Sequence, residues 1–315
     1  MNMKFLIIGD LHGKMPKIHF KNFDAIIAPG DFCSDKRKDL VWKAIKESEK
    51  EKKKRKEKNE ETKKRDVKTK SDNEKSKNIM WYDLCGKKEA KKMIDESVAS
   101  GRKILEYLNS LEKPVFIVPG NWDYPGIPEN LIKKLVGKKN IWSYWLKDYY
   151  KNMRKGLNNI HDLNFKLKTF GEIDLIGYGI FHIGSGTAPE DEDDFLYAYF
   201  KLYHLFKKAK QTRNPIIFLS HNVPYNTKID KILNKKSPAY GEHYGSVVVK
   251  ELIKNFQPLV NIGGHIHEHF GKTRIKKTIC INAGFGSHVN TLLEIELSKK
   301  GEFNIKRLEF YDENG

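Results

Sequence analysis

In the stretch GGHIHEHFG (263–271), three of the chain's 11 histidines occupy alternate positions between glycines, directly after the apolar run PLVNI (258–262). Successive side chains of an extended segment point to opposite faces, so His265, His267 and His269 share one side if the strand continues. Neutral imidazole is the commonest metal-ligating side chain, and glycine lets a backbone turn tightly around an ion. A histidine-rich surface turn is the other meaning of the same stretch.

Four more apolar runs end in polar side chains of the same kind. KFLIIG is followed by Asp10 and His12, AIIAPG by Asp31, VFIVPG by Asn121 and Asp123, and IIFLS by His221. Each alone is weak, because aspartates in turns commonly cap helices or close Asx-turns. In α/β sheets, however, ligands bind beyond the carboxyl ends of strands, so these residues are expected to converge on one rim. Apart from Asp123 and His269, the set is two Asp, one Asn and four His, without cysteine. Such donors suit manganese, iron or zinc, and seven are too many for one tetrahedral zinc. Two ions sharing a carboxylate use them well, and paired ions are the known means of clamping and hydrolysing a phosphate ester.

The elements that must position these residues read as alternating β-branched runs and helical stretches, which is the α/β pattern. Strands are expected at 4–9, 25–29, 114–119, 173–177, 215–219, 258–263 and 278–282. A late hairpin is expected from 291–297 and 303–310 around Lys299-Lys300-Gly301. Helices are expected at 87–111, 128–136, 194–211 and 246–255. No internal repeat or linker divides the 315 residues, which predicts a single domain, 1–315. It is interrupted by a charged insertion at about 46–78, where Val67 is the only large apolar residue from 49 onward. Such a stretch cannot help build a core; its many good helix formers allow a solvated helix, while Ser, Asn, Asp and Thr favour disorder towards the end.

Residues 36–77 carry 19 Lys and Arg against 10 Asp and Glu, half of the chain's excess of +18. Clustered lysines can neutralise nucleic-acid phosphates, although a charge run is more often simply solvated. Cys33, Cys85 and Cys280 are far apart and form no C-x-x-C pair, which fits buried reduced thiols rather than disulfides or a zinc site. The short apolar run at the N-terminus and the absence of any 20-residue apolar stretch predict a soluble cytoplasmic protein without membrane contact.

The order D-x-H, G-D, G-N-x-D, H, G-H-x-H, from Asp10 to His267, resembles the calcineurin-like metallophosphoesterase superfamily. SHNVPYNTKIDKI, GEHYGS and GGHIHEHFG are further similar to its archaeal, cyclic-nucleotide-phosphodiesterase-like branch. The resemblance implies a four-layer α-β-β-α sandwich of two mixed sheets flanked by helices, with the metal site at the carboxyl ends of strands. It implies one divalent ion held by Asp10, His12 and His267, a second by Asn121, His221 and His265, and Asp31 bridging both. Manganese is the first expectation for the metal, with iron, zinc and nickel as alternatives. His269 has no counterpart in the set.

One position departs from the pattern. Many members have histidine after the Gly-Asn pair, where it helps protonate the leaving oxygen; here the residue is Trp122. His243 is the candidate replacement for that acid, with a structural histidine as the alternative. Asp123 is expected to orient backbone or ligands. The implied activity is phosphoester hydrolysis, of diesters more than monoesters, with nucleotides among the substrates. A metallo-β-lactamase-like hydrolase requires H-x-H-x-D-H, which is absent. A nucleic-acid-binding or scaffold protein on the same fold is the non-enzymatic alternative. Aromatics in IWSYWLKDYY (141–150) read as a core or interface stripe before a base-stacking surface, and PEDEDDF (189–195) as an acidic helix start.

Overall fold

The structure, a computed structural model, describes residues 2–64, 79–124, 142–179, 190, 192–235, 237, 239–267, 269–298 and 302–313. The helix expected at 128–136, the hairpin turn at 299–301 and the later part of the charged insertion, 65–78, lie outside them. Two compact units divide the chain: Met1–Ser34 with Val98–Gly315, and Asp35–Ser97.

The larger unit is built on two mixed six-stranded sheets. The first contains β1 (Asn2–Ile8), β2 (Ala25–Ala28), β3 (Val115–Ile117), β4 (Ile160–Asp162), β11 (Val289–Leu297) and β12 (Phe303–Asp312), in the order β12-β11-β1-β2-β3-β4. β1 to β4 run parallel, while β11 and β12 close the sheet as the expected antiparallel hairpin. The second contains β5 (Leu167–Phe170), β6 (Ile173–Tyr178), β7 (Ile216–Asn222), β8 (Val260–Gly264), β9 (Gly271–Ile275) and β10 (Thr278–Asn282), in the order β5-β6-β7-β8-β10-β9.

The alternation along each strand explains the layers. Phe5, Ile7 and Ile27 of the first sheet share one core with Leu175, Ile217, Leu219, Ile262 and Ile281 of the second. The intervening residues Ile176 and Phe218 point the other way, against Leu202 and Phe206 of helix Glu192–Thr212 and Val249, Leu252 and Ile253 of helix Val247–Phe256. Strands buried on both faces must be apolar at consecutive positions, which is why they read as unbroken runs. Ser246 caps the second of these helices by accepting from the Val249 N–H, and Glu190 accepts from the Val247 N–H at 2.9 Å and from the Ser246 hydroxyl. The acidic stretch thus supplies an anion to the amino end of a different helix as well as starting its own.

Cys33 and Cys280 are buried and Cys85 is half-buried, all three as free thiols; burial pushes the Cys280 thiol up to about 12. Among the described residues no helix is long and apolar enough to cross a membrane.

The smaller unit holds helix Lys38–Lys64, helix Trp81–Cys85 and the first part of helix Lys87–Ser110. Within the charged insertion a helix runs through Lys64. Its large apolar residues, Leu40, Val41, Trp42 and Ile45, all lie in the first two turns, and residues 49–54 are exposed. Good helix formers continue the helix beyond the point where any apolar face ends.

Ser48 and Ile79 meet across the base of this segment. The Ile79 N–H donates to Ser48 Oγ at 3.0 Å, and the Ser48 hydroxyl returns a bond to the Ile79 carbonyl at 3.3 Å. Replacing residues 49–78 by two glycines therefore spans the gap without moving its ends. The expected result is a loss of helical circular dichroism with a Tm change below about 3 °C, the equivalent of ~1 kcal/mol in a chain of this size. A larger fall means that the segment packs.

Candidate metal centre

The expected residues come from five strand ends of the larger unit and meet at one place. Asp10 and His12 follow β1, Asp31 follows β2, Asn121 follows β3, His221 lies near the end of β7, and His265 and His267 follow β8. Asp10, His12, Asp31 and His267 present one ligand atom each within 4.8 Å of one another, and Asp31, His221 and His265 do the same. One amide atom of Asn121 joins the second group, 3.0 Å from His221 Nε2 and 3.0 Å from His265 Nδ1. Asp31 is the shared member. Its Oδ2 stands 3.7 Å from His12 Nε2 and 3.6 Å from His221 Nε2, while Oδ1 accepts the Trp122 backbone N–H at 2.8 Å.

The spacings fit cation binding. Donors about 2.1 Å from an ion stand roughly 3.0–3.4 Å apart. Here His267 Nε2 lies 3.0 Å from Asp10 Oδ2 and, a little closer than that range, 2.8 Å from His12 Nε2. Asp10 Oδ1 is buried without a hydrogen-bond partner, which a cation would remedy. Burial raises the Asp10 carboxyl, yet the His267 hydrogen bond and the charges of His221, His267 and His12 outweigh it and bring its pKa to about 2. Burial likewise pushes the pKa of His221 down, favouring the neutral imidazole a ligand must be. His221 Nδ1 lies 2.8 Å from the Pro29 carbonyl, and donating to it directs the Nε2 lone pair into the site.

The backbone is shaped around these groups. His12, Asp31 and His265 have φ of 47°, 55° and 70°, a left-handed conformation that side chains other than glycine's seldom adopt. β8 stops at Gly264, so the histidines do not fan from a continuing strand. His265 turns to one group and His267 to the other, while His269 belongs to neither. The glycines are required by proximity: a Cβ at Gly264 would fall 2.5 Å from Asp10 Oδ1, and one at Gly120 would fall 2.2 Å from Asp31 Oδ1.

Asp123 grips the loop that carries Asp31. Its Oδ2 accepts from the backbone N–H of Asp31 at 2.7 Å and Gly120 at 2.9 Å, and its Oδ1 from Phe32 at 2.7 Å and Cys33 at 2.9 Å. Burial nevertheless pushes its carboxyl up, against the pull of these N–H groups and of His221.

His243 is not part of either ligand group. Its Nδ1 lies 2.7 Å from Oδ1 of the fully buried Asp230, whose carboxylate also accepts from the backbone N–H groups of Asn226, Thr227 and Gly245. Asp230 was not singled out in the sequence, because an aspartate in NTKID carries no spacing signal. Pro29 and Glu190 act through a backbone carbonyl and on a distant helix, and neither leaves a motif.

A family model described as calcineurin-like phosphoesterase matches residues 88–269, over half of the chain, including Asn121, His221, His265 and His267. Asp10, His12 and Asp31 precede the matched stretch. No curated protein matches the chain. One solved structure aligns over 98% of this chain and 100% of its own at 16% identity with a TM-score of 0.53. A candidate 5'-nucleotidase of Staphylococcus aureus, solved in complex with alpha-ketoglutarate, aligns over 99% of this chain at 13% identity and a TM-score of 0.52. This chain spans only 54% of that protein. A dimetal phosphatase from Danio rerio aligns over 98% of both chains at 10% identity, with a TM-score of 0.41.

Proposed function

Because the chain belongs to the calcineurin-like phosphoesterase family, we propose that it hydrolyses phosphodiesters, nucleotides among them, with two divalent cations, manganese first. The observation that carries this reading is the sharing of Asp31 between two groups of ligand atoms. Asp10, His12, Asp31 and His267 would hold one cation, and Asp31, Asn121, His221 and His265 the other. Two such cations supply positive charge against the ester oxygens and an ionised water at neutral pH.

The chain's own residues do the rest. Asp123 and the Trp122 N–H fix the Asp31 carboxylate, and Pro29 orients His221. The indole of Trp122 cannot protonate a leaving oxygen at neutral pH, whereas an imidazole can. His243 is proposed for that step: its Nδ1–H donates to Asp230, and the Nε2–H of the protonated ring would be the proton given to the leaving oxygen.

The test is a series of aryl and alkyl phosphodiesters of graded leaving-group acidity, with the corresponding monoesters, on metal-stripped and manganese-reloaded protein. Turnover should require manganese and favour the diesters. His243→Ala should match the wild type on the most acidic leaving groups and fall about 100-fold behind on the least acidic, within the range general acids contribute. Equal slopes remove His243 from the mechanism, and a preference for monoesters removes the diesterase reading.

The exposed lysines of helix Lys38–Lys64 support a separate proposal, contact with nucleic acid. Replacing residues 49–78 should then flatten the salt dependence of RNA or DNA binding, and an unchanged slope removes it.

A further inference from the structure

The side-chain amide of Asn121 is bracketed by two groups with opposite demands. Its inward atom, Oδ1, stands 3.0 Å from His221 Nε2 and 3.0 Å from His265 Nδ1, and with the ends of the amide exchanged the inward nitrogen meets those same atoms and Asp31 Oδ2 at 3.2 Å. The outward atom stands 2.9 Å from the indole Nε1 of Trp122. A half-turn of the amide exchanges the two atoms. With Nδ2 inward, the amide donates to Asp31 Oδ2, and its Oδ1 accepts from the indole N–H. With Oδ1 inward, as a cation at the second position requires, Nδ2 faces that N–H, donor against donor.

The backbone N–H of Trp122 is committed to Asp31, and its ring lies edge-on to His12 at a centroid separation of 6.4 Å. The position formed by Asp10, His12, Asp31 and His267 contains no amide and carries no such conflict. We propose that Trp122 makes the two cation positions unequal, holding Asn121 with its nitrogen inward so that the second cation binds only when the amide turns and gives up the indole bond. This inference rests on the two-cation reading above. A chain built this way stays half-loaded over a range of cation concentration, and the second position becomes the one that responds to supply.

Calorimetric titration of the stripped full-length protein with Mn²⁺ tests it. The wild type should bind in two phases, the second weaker. Trp122→Phe and Trp122→Leu, which keep the backbone N–H and remove the indole donor, should each tighten the second phase about tenfold and leave the first unchanged, the effect of one hydrogen bond. In an Asn121→Asp background one carboxylate oxygen can accept from the indole while the other faces the cation. There Trp122→Phe should change the second phase less than about twofold, the coupling a double-mutant cycle isolates. Two equal phases in the wild type, an unmoved second phase in both Trp122 variants, or the same gain in the Asn121→Asp background overturns the proposal. Absence of any binding overturns the two-cation reading itself.

Discussion

On the proposed two-cation reading, Asp31→Asn should leave the chain folded and strip both cation positions. Asparagine tolerates the left-handed φ of 55° that residue 31 adopts, so the backbone has no reason to move. The Trp122 N–H requires an acceptor and takes the one oxygen that the amide retains. The NH₂ group then occupies the place of Oδ2, between His12 and His221, and presents hydrogens to both positions. Losing a group that merely supports a ligand weakens metal binding by about 10–100-fold, so converting the shared ligand into a donor should exceed 100-fold at each position. Diester hydrolysis should fall below detection. Elemental analysis after dialysis against Mn²⁺, with circular dichroism as the control for folding, checks the result. Retention of one full equivalent of manganese means that Asp31 is not shared.

Asp123→Asn acts one step further from the chemistry and should cost more in folding. Two carboxylate oxygens receive four buried backbone N–H groups, two each. An amide keeps one oxygen and turns its nitrogen on the other two. Each N–H left without an acceptor costs about 1–3 kcal/mol, together roughly 2–6 kcal/mol out of a typical total of 5–15. Thermal denaturation should show a fall in Tm of at least about 5 °C. Cation affinity should drop by about 10–100-fold in parallel, because the Asp31 loop is no longer held. An unchanged Tm with weakened binding confines Asp123 to an electrostatic role. No change in either shows that the loop keeps its shape without the grip.

The sequence was legible where burial on both faces forces apolar runs, and much less so where it does not. The seven early strands and the late hairpin appear close to their expected places, whereas β4, β5 and β9 were not anticipated. All three are sheet edges, and β5 (LKTF) and β9 (GKTRI) contain exposed, polar positions. An edge strand has fewer neighbours to bury against, and its polar residues keep it from pairing further. Helix Lys38–Lys64 was legible only as an allowed solvated helix for a related reason: beyond its first two turns it has no apolar period to read.

At the site, residue types marked the side chains that converge, because few other arrangements call for so many imidazoles and carboxylates at strand ends. The left-handed backbone of His12, Asp31 and His265 was not legible, since none is glycine. Nor was the opposed pull on Asn121, because adjacency in sequence does not say which way an amide faces.

The contact between Ser48 and Ile79 has a meaning for how such a chain changes over generations. Two positions separated by 30 residues in sequence stand within one hydrogen bond of each other. Whatever length lies between them, the ends need not shift, so additions and deletions there should be tolerated. The stretch can change in length while its two ends stay in place. For the same reason it is the natural socket for a tag or a fluorescent reporter.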